Sequence, residues 1–178
     1  FRSCVFGGSF DPPHLGHERC IRNLLPIFPQ AKFIIVPSAS PVVADQQSKP
    51  AISNFADRYA MLEIVFSDLL AKSQGRVSLS KIEEGIPPPN YSIKTLLRLK
   101  ETEPSRPLIL ILGQDQIRNF HRWHRVTEVL AMAKIVAVAR KNAADDKHKN
   151  LEIEVKELLT NLDAQYTWNE EKSEFTLF

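Results

Sequence analysis

The sequence predicts an α/β protein built on a parallel β-sheet. Short apolar runs alternate along the chain with segments whose apolar residues have helical spacing, which is typical of strand–helix–strand units. The central runs are apolar at consecutive positions, as in "LILIL" at 108–112, and strands buried on both faces of a parallel sheet have this pattern. At 178 residues the chain is about one domain long, so we expect a single domain over residues 1–178.

Five strands are predicted, and they are, in chain order, "SCVF" at 3–6, "FIIVP" at 33–37, "RVSLS" at 76–80, "LILIL" at 108–112 and "KIVAVA" at 134–139. Helical spacing of apolar residues predicts four helices, over 17–25, 55–72, 92–100 and 122–132. Strands that alternate with helices in this way predict a Rossmann-like, doubly wound sheet.

Composition narrows the class of function. The 23 basic and 21 acidic side chains leave a formal charge of +2, and the basic residues are scattered, so we expect no nucleic acid partner. No apolar run is long enough to span a bilayer and no secretory leader is visible, which predicts no membrane association. Cys4 and Cys20 lack metal-site or redox-motif spacing, which favours a reducing, cytoplasmic setting.

The stretch "GGSFDPPHLGH" at 7–17 leaves the first strand and runs into the first helix. Ligands collect at the carboxyl ends of parallel strands, where a helix N-terminus offers N–H groups and partial positive charge to phosphate. Gly7 and Gly8 would let a phosphate or adenosine approach the backbone closely.

His14 and His17 are three residues apart, which predicts both imidazoles on one side of the helix start. Next to a triphosphate each would favour its protonated form and stabilise charge on the phosphoryl oxygens. An isolated histidine at such a junction more often caps the helix; the pair, set among glycines and prolines, favours ligand binding. No Walker or dinucleotide-type glycine loop is present, and the pair lacks a third ligand for a metal, so no protein-held metal site is predicted.

The motif resembles the signature of nucleotidyltransferases that carry HxGH, and more closely that of bacterial nicotinate-nucleotide adenylyltransferases. Further segments resemble this family in the same order. They are "ADRYAML" at 56–62, "NYSIKTL" at 90–96, "ILGQDQIRNFHRW" at 111–123 and "VAVAR" ending at Arg140.

The resemblance implies a role for each matching residue. Gly7, Gly8, Ser9, Phe10, Gly113, Asp115 and Arg140 would bind ATP or the dinucleotide, with Asp115 near ribose or adenosine and Arg140 on phosphate. His14 and His17 would be the catalytic pair on the phosphates. Tyr91 and Ser92 would offer backbone N–H groups to the nicotinate carboxylate, and Trp123 would stack on the pyridine ring; the alternative for Trp123 is a core residue.

Several positions depart from the family pattern. Lys94 stands where the family has aspartate, Gln114 where alanine or glycine is common, and "PVVADQQSKP" leaves the alignment of Lys49 open. If the family argument is set aside, Arg58 and Arg140 are expected to be solvated rather than functional. The family's second ATP motif, I-S-S-T-x-I-R, is absent, so we expect the C-terminal end to be truncated or disordered.

The implied reaction is adenylyl transfer from ATP to nicotinate mononucleotide, with Mg²⁺ accompanying ATP and pyrophosphate leaving, as a step of NAD biosynthesis. Two alternatives stay open, namely an adenylyltransferase with another phosphorylated acceptor and a non-catalytic nucleotide-binding protein of the same fold. A homo-oligomer is also left open.

Overall fold

A single seven-stranded sheet forms the centre of the molecule. The computed structural model describes residues 1–40, 53–138, 166–169 and 174–177. The strands lie in the order β3-β2-β1-β4-β5-β7-β6, and their bounds are β1 Ser3–Gly8, β2 Lys32–Pro37, β3 Val77–Leu79, β4 Leu108–Gly113, β5 Ala133–Val138, β6 Tyr166–Asn169 and β7 Glu174–Leu177. The first five pair in parallel, which confirms the predicted parallel core.

Six α-helices are present in the described residues. They are α1 Leu15–Leu24, α2 Phe55–Val65, α3 Ser67–Lys72, α4 Ser92–Thr102, α5 Gln114–Arg118 and α6 Val126–Met132, with 3-10 turns at Ile82–Gly85 and Phe120–Arg122. None of them is long and apolar enough to cross a membrane.

The helices pack on both faces of the sheet. Side chains of β4 alternate between two apolar clusters, because successive residues of a strand point to opposite faces: Leu108, Leu110 and Leu112 join the cluster under α4, α5 and α6. Ile109 and Ile111 join the cluster under α1, α2 and α3. This two-sided packing confirms the doubly wound, Rossmann-like prediction.

Two predicted helices differ from the structure. The helix predicted over 55–72 breaks at Phe66, which leaves helical geometry and is fully buried. The helix predicted over 122–132 begins only at Val126, because Arg125 is in the left-handed region with φ 55°. Tertiary packing therefore overrides the helical period at both places.

Two features were not predicted from strand–helix alternation. Helix α5 starts directly after β4, and β6 and β7 form an antiparallel pair that extends the sheet beyond β5. The single-domain boundaries over 1–178 stay a prediction, because the segments between these elements lie outside the described residues.

Candidate active site

The site candidates from the first strand lie at the carboxyl edge of the sheet. Gly7 pairs with Val36 of β2, and the N–H of Ser38 donates to the carbonyl of Gly8 at 2.8 Å. A Cβ added at Gly7 would come no closer than 3.9 Å to its neighbours, at the carbonyl of Val36. Packing within the protein therefore does not require glycine here, and the predicted close approach of a ligand to Gly7 stays a prediction.

The two motif histidines cap helix α1 reciprocally. Nδ1 of His14 accepts the N–H of Gly16 at 3.1 Å, and Nδ1 of His17 accepts the N–H of His14 at 3.1 Å. The rings are stacked, with centroids 3.8 Å apart and an interplanar angle of 20°. The prediction that both imidazoles lie on one side of the helix start is confirmed.

This capping determines which ring nitrogen can face a ligand. A nitrogen that accepts a hydrogen bond carries no proton, so each neutral ring holds its proton on Nε2. Nε2 then lies on the side of each ring away from its cap. The protonated form that the sequence predicts beside a triphosphate would require Nδ1 to give up its cap, and it stays a prediction.

Phe10 holds His17 rather than standing open to a groove. Its side chain is buried in the apolar cluster under α1, and its ring packs edge-on against His17 with centroids 5.0 Å apart. Phe6 lies behind the same imidazole at 6.1 Å. Because this side chain is buried, the nucleotide-binding role predicted for Phe10 would use its backbone, and it stays a prediction; Ser9 beside it is exposed.

The N-terminus of α4 carries Tyr91 and Ser92. No side chain caps this helix, and the first N–H groups of a helix generally lack an acceptor four residues back. The N–H of Tyr91 donates to the carbonyl of Pro89 at 3.1 Å, so it is already engaged. The donors that α4 can offer to a carboxylate are the N–H groups of Ser92 and Ile93, because those of Lys94 and Thr95 donate to the carbonyl of Tyr91.

Trp123 is followed in the chain by His124, which makes an aromatic contact with the start of α4. The ring of Tyr91 stacks on His124 with centroids 4.3 Å apart. Trp123 packs edge-on against Phe120 at 5.2 Å and is half-buried against the cluster under α4. One part of the indole thus supports the core while the remainder is accessible, and the structure brings its segment beside Tyr91.

Gly113 and Asp115 lie at the carboxyl end of β4, at the same edge of the sheet. Gly113 ends the strand, and its N–H donates to Oε1 of Gln116 at 3.3 Å; Asp115 is exposed in the first turn of α5. Arg140 and Lys49, the other predicted cationic candidates, lie outside the described residues.

Arg58 contradicts its sequence-based expectation. It is only 2% exposed and donates to the carbonyls of Ser9, Ser38 and Ser53 at 2.6, 2.8 and 3.1 Å. The expectation of a solvated side chain is wrong, because three carbonyls replace water around the guanidinium. The segment "ADRYAML" at 56–62 was the available signal that Arg58 matters, but no local sequence pattern indicates that an arginine is buried.

Glu83 is a second buried charged group that the sequence analysis missed. Burial raises the pKa of its carboxyl, while a hydrogen bond from Thr95 and the nearby charge of Arg58 act in the opposite direction. Oε1 accepts the hydroxyl of Thr95 at 2.7 Å, and Oε2 accepts the N–H of Ala39 at 3.1 Å. Neither Arg58 nor Glu83 lies on the surface, so both act through the segments that they hold.

No group of three or more His, Cys, Asp or Glu side chains within the described ranges could hold a metal ion. Neither cysteine takes part in a disulfide, and burial raises the pKa of the Cys4 thiol to about 12.

Comparison with known proteins identifies the family. A model of cytidylyltransferase-like proteins matches residues 5–175. A probable nicotinate-nucleotide adenylyltransferase of Prosthecochloris aestuarii is 36% identical over 157 residues, which are 84% of this chain and 72% of that relative. The chain belongs to the cytidylyltransferase-like family, among its nicotinate-nucleotide adenylyltransferases.

Other members of this family agree in sequence or in fold. A probable nicotinate-nucleotide adenylyltransferase of Leptospira borgpetersenii is 28% identical over 77% of this chain and 66% of its own length, so the chain spans about two thirds of that relative. The structure of Plasmodium falciparum nicotinic acid mononucleotide adenylyltransferase complexed with NaAD has a TM-score of 0.67, with 18% identity, over 86% of this chain and 70% of that protein. At this identity the likeness shows the shared fold.

The contact between Gly16 and His14 generates a first prediction. A Cβ at Gly16 would lie 2.9 Å from Nδ1 and Cε1 of His14, so Gly16→Ala must displace the imidazole from its cap. Alanine favours the helix by roughly 0.5–1 kcal/mol over glycine, which offsets part of the lost cap. We expect an unchanged fold by circular dichroism and turnover lower by about tenfold or more.

Gly85→Ala is the matched control, because a Cβ there meets nothing within 4 Å. It should leave turnover as in the parent protein. If Gly16→Ala kept the parent protein's turnover in an adenylyltransferase assay, the position of the His14 ring would be irrelevant to the reaction.

Proposed function

We propose that this chain transfers the adenylyl group of ATP to nicotinate mononucleotide, giving nicotinate adenine dinucleotide and pyrophosphate. One observation carries the proposal: two stacked imidazoles at the N-terminus of α1, at the carboxyl edge of a parallel sheet. Their Nε2–H donors and the helix N-terminus together offer hydrogen bonds and partial positive charge to phosphate oxygens. The choice of nicotinate mononucleotide as acceptor rests on the relatives, which are probable nicotinate-nucleotide adenylyltransferases.

The chemistry is an in-line displacement at phosphorus. An oxygen of the acceptor's 5′-phosphate attacks the α-phosphorus of ATP, the new P–O bond forms, and the bond to the β-phosphate bridging oxygen breaks so that pyrophosphate leaves. The nucleophile is already an anion and needs no general base. The chain's task is orientation and stabilisation of charge on the phosphoryl oxygens.

His14 and His17 perform this task as neutral hydrogen-bond donors. Because each Nδ1 is held by a backbone N–H, the rings cannot rotate without losing a cap, and their Nε2 atoms stay oriented. Donors that are oriented before the reaction pay no reorganisation cost in the transition state.

Mg²⁺ enters this scheme with ATP rather than as a resident ion. Mg²⁺ is commonly held by substrate phosphates and one or two carboxylates, so ATP would bring most of its ligands. When bound, it neutralises triphosphate charge. Asp115, exposed at the same edge, is the carboxylate that could share it.

The α4 N-terminus is the proposed carboxylate site for nicotinate. The N–H groups of Ser92 and Ile93 are donors, and an acid accepts two hydrogen bonds where an amide would place its own N–H groups against them. The ammonium of Lys94 donates to the carbonyl of Pro87 at 3.0 Å, so its positive charge lies beside this loop. Both features favour an anionic acceptor.

Cellular setting and assembly remain proposals. Two reduced thiols are compatible with the predicted cytoplasmic setting.

The chemical and structural roles of His14 can be separated by two variants. His14→Ala removes both the cap and the Nε2 donor, whereas His14→Asn keeps a favourable N-cap acceptor and removes only the imidazole. We expect His14→Asn to retain the melting temperature and to lose turnover by about 10²–10³-fold. His14→Ala should lose about the same turnover and, in addition, about 1 kcal/mol of stability.

Turnover and thermal unfolding of the two variants, measured in the same buffer, decide this point. If His14→Asn turned over ATP like the parent protein, His14 would be a helix cap alone.

The third prediction concerns the choice of acceptor. With ATP fixed, nicotinate mononucleotide should be used about ten- to a hundredfold more efficiently than nicotinamide mononucleotide, since unpaired buried donors cost about 1–3 kcal/mol. Pyrophosphate release and dinucleotide formation, assayed over a panel of phosphorylated acceptors, measure the preference. Trp123→Ala should weaken both pyridine acceptors alike, because stacking does not distinguish acid from amide.

A different preferred acceptor would indicate another adenylyltransferase of this fold. Binding of ATP without product from any acceptor would favour the non-catalytic alternative.

A further inference from the structure

A buried guanidinium joins three backbone segments at the carboxyl edge. Arg58, on α2, donates to Ser9 in the loop after β1, to Ser38 directly after β2 and to Ser53 before α2. Phe55 covers its guanidinium at 5.7 Å. A planar fork with several fixed donors suits three carbonyls in different directions, which a lysine ammonium on a single flexible stem does not.

Glu83 continues this arrangement on the other side of Ser38. The Glu83 carboxylate accepts the N–H of Ala39, which belongs to the same peptide group as the Ser38 carbonyl, and the hydroxyl of Thr95. Thr95 is buried in the first turn of α4, immediately behind Tyr91 and Ser92.

The two side chains therefore form one chain of hydrogen bonds between both halves of the site. It runs from the carbonyl of Ser9, through Arg58, the Ser38–Ala39 segment and Glu83, to Thr95. One end is the segment 7–14 that joins β1 to α1, which we call the phosphate loop. The other end is the start of α4. Hydrogen bonds to charged groups are stronger than neutral ones, and a buried charge left without its partner is costly, so neither end can shift independently at low cost.

We propose that Arg58 and Glu83 are positioning residues that set the separation between the phosphate loop at 7–14 and the N-terminus of α4, and thereby the fit of the acceptor mononucleotide, which must bind both. The identity of the acceptor rests on the function proposed above; the mechanical link does not. Neither residue touches substrate. Each acts through the backbone or side chain that it holds.

The first test uses variants at the two ends. Arg58→Lys retains the charge but loses the three-way fork, and Thr95→Val removes only the hydroxyl that Glu83 accepts. Each should lower kcat/KM for the mononucleotide by about ten- to a hundredfold, mainly through KM. Arg98→Lys, on the exposed face of α4 beside Glu101, is the matched control and should leave kcat/KM unchanged.

The double variant decides whether the ends are linked. Independent sites multiply their effects, whereas members of one network do not. We expect the loss of kcat/KM in Arg58→Lys/Thr95→Val to be no larger than the loss in the more impaired of the two single variants. Fully multiplicative losses would overturn the link, as would a Thr95→Val protein with the parent's KM.

Hydrogen exchange separates failure of this link from failure of the proposed function, because it needs no activity. In the ligand-free Arg58→Lys protein, exchange should rise at the N–H of Ala39 and in the first turn of α4, and it should stay unchanged in Arg98→Lys. Parent-like exchange at both places would overturn the proposal even if the enzyme works as described. If Arg58→Lys does not fold, Glu83→Gln and Thr95→Val are measured in its place, with increased exchange expected at the same two segments and unchanged exchange overturning the link.

Discussion

Strand β1 is hydrogen-bonded in parallel to β2 on one edge and to β4 on the other, and this central position decides where the site lies. The chain leaving β1 must turn at the carboxyl edge between the chains that leave its two neighbours. Helix α1 begins in that turn. Its first N–H groups and the two histidines at its start therefore lie at the edge where three segments converge. Candidate residues far apart in sequence thus share one edge because the strands share one direction.

The helix start uses each imidazole twice. Ordinary N-caps are short side chains such as Ser, Asp or Asn, whose polar atoms all stay close to the backbone that they cap. A histidine caps with Nδ1 and keeps Nε2 on the opposite side of the ring. Stacking of His14 on His17, with Phe10 against the second ring, fixes both rotamers. The cap of α1 and the proposed binding of phosphate therefore use the same two side chains.

Local pattern predicted much of this architecture. The apolar runs predicted the five parallel strands, and the glycine–histidine motif predicted both the position and the shared side of His14 and His17. Arg58 could not be predicted as buried, since the carbonyls that replace its water come from segments up to 49 residues away. Trp123 was assigned to a helix because its segment has helical spacing, but the left-handed Arg125 and the packing on Phe120 exclude it. The engaged N–H of Tyr91 likewise depends on a turn that composition does not specify.

The central claim is that both imidazoles are neutral, hold the helix with Nδ1 and offer Nε2–H to phosphate. ¹⁵N NMR of the His14 and His17 rings at mildly alkaline pH, before and after addition of ATP, tests it most directly. We predict an unprotonated Nδ1 and a protonated Nε2 in both rings, with the Nε2 signals shifting on nucleotide binding. A proton on Nδ1 of either ring, or Nε2 signals that ignore bound ATP, would contradict the account.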